Sequence, residues 1–229
     1  LSSFWVVFRD GTDGRVAPAP FLWWGLLPQS DAGSYFNLPN AGFKAERRLG
    51  LGMALKDTVK MVGDLMAVAA RTAPKAVGED YIEISVLSDS ERVALGKDMI
   101  QIAKERGIQG FERDGKNVLD SDVVVLVGLL PHKGVGLNCG ACGYATCNEF
   151  NSRSFEGDFK GPNCVIRALD LGIALGSSAK LASELNVDNR IMYRIGVSAR
   201  RLGLAKGNVV HGIPLSATGK NIFFDRQRK

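Results

Sequence analysis

Asp122-Val-Val-Val-Leu-Val-Gly-Leu-Leu130 is an almost unbroken apolar run. A strand with one wet face alternates apolar and polar residues, so a run of this kind reads as a central strand buried on both faces. It leads straight into a Gly-rich loop that carries Cys139-Gly-Ala-Cys142-Gly-Tyr-Ala-Thr-Cys147. A fourth cysteine follows in Gly161-Pro162-Asn163-Cys164, and the chain has no others. The spacing is C-x2-C-x4-C-x16-C.

Outward from this strand the pattern alternates helix and strand. Before it, Val59, Val62, Met66 and Ala69 recur at helical spacing, which predicts a helix over 54–73 that Pro74 ends. Tyr81–Leu87 reads as a strand, and Ser88-Asp-Ser-Glu91 as a capping box opening a helix to Arg106. Gly107 and Gly110 stop that helix, and Arg113-Asp-Gly-Lys-Asn117 reads as a turn. After Cys164 a helix runs to about Leu185, with Ile166, Leu169, Ile173, Ser177, Leu181 and Leu185 on one side. Asp188 and Asn189 read as caps of a further helix to Leu202, and Val209–Ile213 as a short strand ending at Pro214.

The 229 residues carry a net charge of +5, with the basic residues scattered among acids. No aromatic-interleaved basic stripe argues for nucleic acid. No apolar run reaches the roughly 20 residues that span a membrane. The expectation is a cytoplasmic chain, where clustered cysteines favour metal or redox chemistry over disulfides. Residues 1–52 differ from the rest: all three Trp lie there, the patterning is poor, and the first Met is Met53. They read as an N-terminal extension, either upstream sequence from a misassigned start or a partner-binding arm. Residues 53–229 read as a single domain with its metal segment at about 131–170.

Four thiolates select zinc, copper(I) or an iron–sulfur cluster. Zinc sites usually pair two short couples, whereas here one C-x2-C is joined by Cys147 and a lone returning Cys164. A four-iron four-sulfur (4Fe-4S) cluster has corners several ångströms apart and suits a loop that wraps around it. Gly140, Gly143 and Gly161 permit close backbone approach there. Cys139, Cys142, Cys147 and Cys164 are therefore the candidate ligands of a 4Fe-4S cluster, with a zinc-stabilised structural or interaction protein as the alternative. His132 reads as a loop residue and His211 as a structural histidine.

The cysteine spacing resembles the four-cysteine 4Fe-4S domain of electron-transport complex B subunits and corrinoid iron–sulfur proteins. The wider chain, through Ala69-Ala-Arg-Thr-Ala-Pro-Lys-Ala76, the cysteine block, Asp188-Asn-Arg-Ile-Met-Tyr-Arg-Ile-Gly196 and Gly212–Arg226, resembles the "ferredoxin domain-containing" proteins of bacteria and archaea. That resemblance implies a cluster and no settled activity.

The order helix, Ala-Pro turn, strand, helix also resembles the first half of a flavin-dependent nitroreductase. Leu169-Asp-Leu-Gly-Ile-Ala174 is similar to a central helix of that fold, and Gly212-Ile-Pro214 to its last strand. The implied fold is α+β, with helices around a mostly antiparallel central sheet and an inserted Cys-rich loop. The implied second cofactor is FMN, lined by Arg71, Pro74 and Lys75 with Lys220 on its phosphate, in a homodimer. The sequence departs from that pattern at Lys75 and Gly78, where the family's turn has Ser and Asn. The functional expectation is an iron–sulfur redox protein, either an electron-transfer module for a redox partner protein or a flavin-linked oxidoreductase acting on a small molecule.

Overall fold

The computed structural model describes residues 43–225, with side chains from Leu55 onward. The architecture below is that of the compact unit Ala45–Lys229, together with the first residues of the helix that leads into it. The expectations for residues 1–42 lie outside the described residues.

The first helix, α1 (Phe43–Thr72), begins eleven residues before the predicted start at Ala54. Gly50 and Gly52, both poor helix formers, hide its opening turns in the sequence. After a 3-10 turn at Ala76–Gly78 come β1 (Ile82–Val86), α2 (Asp89–Arg106), α3 (Gln109–Asp120) and β2 (Val123–Leu129). The cysteine region holds α4 (Cys147–Asn151) and a small hairpin, β3 (Phe155–Glu156) with β4 (Lys160–Gly161). Then follow α5 (Val165–Glu184), β5 (Asp188–Asn189), α6 (Tyr193–Arg201) and β6 (Val209–Ser216).

The main sheet has the order β1-β2-β6-β5, and every pairing in it is antiparallel. The chain is thus α+β, as the sequence predicts. β2 lies between β1 and β6, and all seven of its residues are buried. The reason is visible in the packing. Val123, Val125, Val127 and Leu129 face one core with α1 and α5, while Val124 and Leu126 face another with α2, α3 and α6. A strand alternates its side chains between faces, so two dry faces demand an apolar residue at every position. Each fully buried aliphatic side chain adds about 1.5–3 kcal/mol of transfer free energy.

Four details correct the sequence reading. Residues 113–117 are not a turn but the middle of α3. A Cβ on Gly115 would stand 2.9 Å from the Gly96 carbonyl oxygen, so that glycine serves close helix–helix packing. The buried side of α5 is Arg167, Asp170, Leu171, Ala174, Leu175, Ser178 and Ala182, whereas Leu169 and Ile173 are exposed. Asp188 and Asn189 form β5 and do not cap a helix. β6 passes through Pro214 to Ser216. Gly212 exchanges both backbone bonds with Met192 on the β5 side. Pro214, two residues on, turns its missing N–H to that same side, where β5 pairs only Ser216 and Leu215.

Candidate metal centre

β2 carries the chain out of the core and releases it into a loop held mainly by polar side chains on backbone groups. Asn138 has a positive φ of 48°, and its Oδ1 accepts the Cys147 N–H at 2.8 Å. Gly140 and Gly143 have φ of 72° and 86°, and the Gly143 N–H donates to the Gly140 carbonyl at 2.9 Å, closing a turn around Cys142. Thr146 caps α4 by accepting the Glu149 N–H at 3.1 Å, which sets Cys147 on its first turn. Asn151 at the other end of α4 accepts the Gly134 N–H at 2.9 Å. A Cβ on Gly134 would lie 3.2 Å from the Cys147 sulfur, so the strand exit passes close against that thiol.

The fourth cysteine arrives through the hairpin. Asn163 Nδ2 donates to the Lys160 carbonyl at 2.8 Å, and Cys164 is the N-cap residue of α5. Its N–H donates to His132 Nε2 at 3.1 Å. The other ring nitrogen, Nδ1, stands 2.9 Å from the Leu130 carbonyl oxygen. A carbonyl can only accept, so Nδ1 carries the proton and Nε2 is the acceptor. Burial pushes the His132 pKa below its ordinary value; the Leu130 bond works against this and the Arg167 charge adds to it. His132 thus joins the end of the central strand to the fourth thiol. The sequence reading left it a plain loop residue, because its partner is 32 positions away.

All four cysteines line one cavity, shared with Tyr144 and Phe150. Cys139 is exposed, Cys142 and Cys147 are half-buried, and Cys164 is buried; none is in a disulfide. Among the described residues no three Cys, His, Asp or Glu side chains stand as a group able to hold one metal ion.

One turn beyond Cys164 lies a network that no motif announced. Arg167 is 1% exposed, yet it donates to the Ala76 carbonyl at 2.9 Å and pairs with Glu79. It sits 3.5 Å from Asp170 and lies over the Tyr81 ring at 4.8 Å. Asp170 accepts the Ala76 N–H at 2.9 Å. An Arg and an Asp three residues apart in the otherwise apolar first half of α5 were the available signal.

The candidate flavin residues are placed as follows. Arg71 donates to Asp80 at 2.5 Å and to the Ile82 carbonyl at 2.9 Å. Lys75 donates to the Ala70 carbonyl at 3.2 Å and to that of Arg71, covering the end of α1, with Asp80 at 3.9 Å. Burial acts to raise the Asp80 pKa, but bonds from Ile82 and Arg71 outweigh it and hold it below the usual value. Pro74 is exposed beside them. Lys220 is exposed beyond the end of β6. That end pairs with Val123, whereas Ile82, next to Arg71, pairs with Leu129. The structure therefore brings Arg71, Pro74 and Lys75 together and sets Lys220 at the opposite end of the sheet. His211, on β6, has its Nδ1 buried without a hydrogen-bond partner, and burial lowers its pKa.

Known proteins share this arrangement of sequence. A protein of Archaeoglobus fulgidus, described as "Uncharacterized protein", is 46% identical over 172 residues, covering 75% of this chain and 93% of the relative. The family described as "Uncharacterized protein containing a ferredoxin domain (DUF2148)" matches residues 160–226. The chain belongs to this family. A second family, described as "Putative Fe-S cluster", matches residues 136–166, a span that includes all four cysteines. Among solved structures, a Bacteroides fragilis nitroreductase with bound FMN is similar at 11% identity and a TM-score of 0.45, covering 73% of this chain and 81% of that one. The NADPH:FMN oxidoreductase of Vibrio harveyi is similar at 16% identity and a TM-score of 0.42, covering 70% and 60%. The α+β architecture itself rests on the strand order and packing described above.

Proposed function

We propose that this is an iron–sulfur redox protein that carries one 4Fe-4S cluster on Cys139, Cys142, Cys147 and Cys164. The observation that carries the reading is the ring of four free thiols around one cavity. The donor set is soft, and its C-x2-C-x4-C-x16-C spacing suits a polynuclear cluster better than the paired short couples usual for zinc. A cluster bound there supplies one-electron transfer.

The chain's own residues do the rest. Asn138, Thr146 and Asn151 hold the loop so that Cys139, Cys142 and Cys147 face the same space. His132 holds the N–H of Cys164, and the glycines at 140 and 143 let backbone amides approach sulfur closely. Four unpaired cysteines favour a reducing compartment, the cytoplasm. Among the described residues no helix is long and apolar enough to cross a membrane.

The flavin-linked form of the reading places FMN at Arg71, Pro74, Lys75 and Lys220. The seven register pairs from Val123 to Leu129 put about 20 Å of sheet, at roughly 3.3 Å per residue, between the end near Arg71 and the end beyond which Lys220 lies. One flavin touching all four would draw them from two copies, which couples this form to a homodimer. Without flavin, the protein is an electron carrier for a partner protein.

Anaerobic purification tests both forms. A brown protein holding about four iron atoms, bleached by dithionite, is the expected result. Flavin fluorescence released on denaturation would mark the flavin-linked form. Cys147→Ser is expected to remove most of the iron; a colourless wild-type protein with one zinc would overturn the proposal.

A further inference from the structure

Next to the cysteine cavity lies a second one of about 160 Å³. It has room for several water molecules. Phe150 lines both cavities, and His132, which holds the Cys164 N–H, lines the second. The two rings are stacked with centroids 6.3 Å apart and form the wall between the cavities.

The other side of this second cavity is cationic. Lys133, Arg153 and Lys160 line it, and no acidic residue does. Acids near it in sequence are already engaged. Glu156, opposite Lys160 in the hairpin, is 3.0 Å from Arg200, and Glu149 accepts the Ala145 N–H at 3.3 Å. Asp158 pairs with Arg106 at 2.6 Å and accepts from Tyr193. Among the described residues none of the three lining cations has an ion-pair partner. Neutral donors sit among them. Asn151 spends its carbonyl oxygen on Gly134 and keeps its amide N–H groups free, and Ser154 lends a hydroxyl.

Lys133, Arg153 and Lys160 are exposed, and three like charges gathered around one concavity repel each other. An anion placed among them relieves that repulsion and meets N–H and O–H donors at the same time. We infer that this cavity binds a small oxyanionic ligand, a carboxylate or phosphate compound of a few non-hydrogen atoms, directly beside the cluster. Phe150 lines both cavities, so a ligand in one is a neighbour of a cluster in the other, and its charge acts on it. The position beside a cluster rests on the iron–sulfur reading, whereas the cavity and its charges do not.

Coupling follows from linkage. A cluster that has taken up an electron carries one more negative charge, so it binds a neighbouring anion less well. Reciprocally, the bound anion makes the electron harder to add, and the midpoint potential falls.

The test is anaerobic calorimetry of the cluster-loaded full chain with inorganic phosphate and, separately, malonate. These two probes separate the phosphate from the carboxylate source. One of them is expected to bind one-to-one with a dissociation constant of about 1 mM or tighter. The triple variant Lys133→Gln, Arg153→Gln, Lys160→Gln is expected to bind at least about tenfold more weakly, at unchanged iron content. If the triple variant loses iron, Arg153→Gln alone must still weaken binding. A saturating ligand lowers the midpoint potential of the wild type and leaves that of the triple variant unmoved. No binding of either probe, or equal binding by the variants, overturns the site. Binding with no change in potential overturns its coupling to the cluster. Absence of iron would sink the iron–sulfur reading and leave the calorimetric result to stand by itself.

Discussion

Between Val123 and Leu129 every residue is buried, and the strand is hydrogen-bonded to a neighbour on each side. Between Pro131 and Cys164 most residues are exposed, and the backbone is held largely by side chains: Asn138, Thr146, Asn151, Asn163 and His132. The first region spends its side chains on packing and satisfies its backbone with itself. The second spends its side chains on its backbone and keeps its thiols free. Burial stabilises the sheet; the loop is shaped by individual hydrogen bonds, each contributing about 1 kcal/mol net. The rigid region positions the site, and the soft one forms it.

The largest break in this contrast comes from the core. A Cβ on Gly196 would stand 1.6 Å from the Val210 carbonyl oxygen, where α6 presses on β6. Gly196→Ala is expected to cost about 4 kcal/mol or more, at the exceptional end for single substitutions. Urea unfolding measures it, and the iron is lost along with the fold. A folded, fully stable variant would show that the close contact is not structural.

His132→Ala sits at the junction of the two regions. It leaves the Leu130 carbonyl and the Cys164 N–H without their partner and is expected to cost about 1–3 kcal/mol. The loss should fall mainly on the loop. Iron should leave faster under chelator, while the urea midpoint moves far less than in Gly196→Ala. Equal iron release by variant and wild type would remove the bridging role.

Gly143→Ala tests the loop alone. The position has φ of 86° and open space around it, so only backbone strain opposes a side chain. The expected cost is about 1–2 kcal/mol. It should show as faster iron loss and heightened proteolysis within 131–164, with the core's thermal midpoint unchanged.

The smallest effect is electrostatic and far from the site. Glu105 accepts two bonds from Arg201, which with Gln101 lower its pKa to about 2. A carboxylate with a depressed folded pKa contributes stability that is fully present above its unfolded value of 4.5. That contribution is lost as pH falls toward about 2. Glu105→Gln should flatten the acid limb of stability against pH and leave iron binding at neutral pH unchanged. An acid limb identical to wild type would show that the pair contributes nothing.

Much of this was legible in the chain. The run 122–130 is readable because a strand with two dry faces must be apolar at every position. The capping box at Ser88–Glu91 is equally local, and the structure shows both of its bonds. The α3 helix was hidden because Gly110 and Gly115 look like breakers. A Cβ on Gly110 would meet the Arg194 guanidinium at 2.7 Å, and one on Gly115 the Gly96 backbone, so both are glycine for packing and not for turning. The face of α5 was misread because its buried side includes Arg167 and Asp170, polar residues whose partners at 76–79 lie about 90 positions earlier.

The sequence by itself determined the central strand and the set of four cysteines, because periodicity and cysteine spacing are properties of neighbouring residues, while the α+β class came through the family resemblance. Only the tertiary structure decided that the four thiols surround one cavity and that His132 holds the last of them. It alone set Lys220 across the sheet from Arg71, and gathered Lys133, Arg153 and Lys160 around one concavity. Those are relations between residues the chain keeps apart until the sheet and the returning hairpin bring them together.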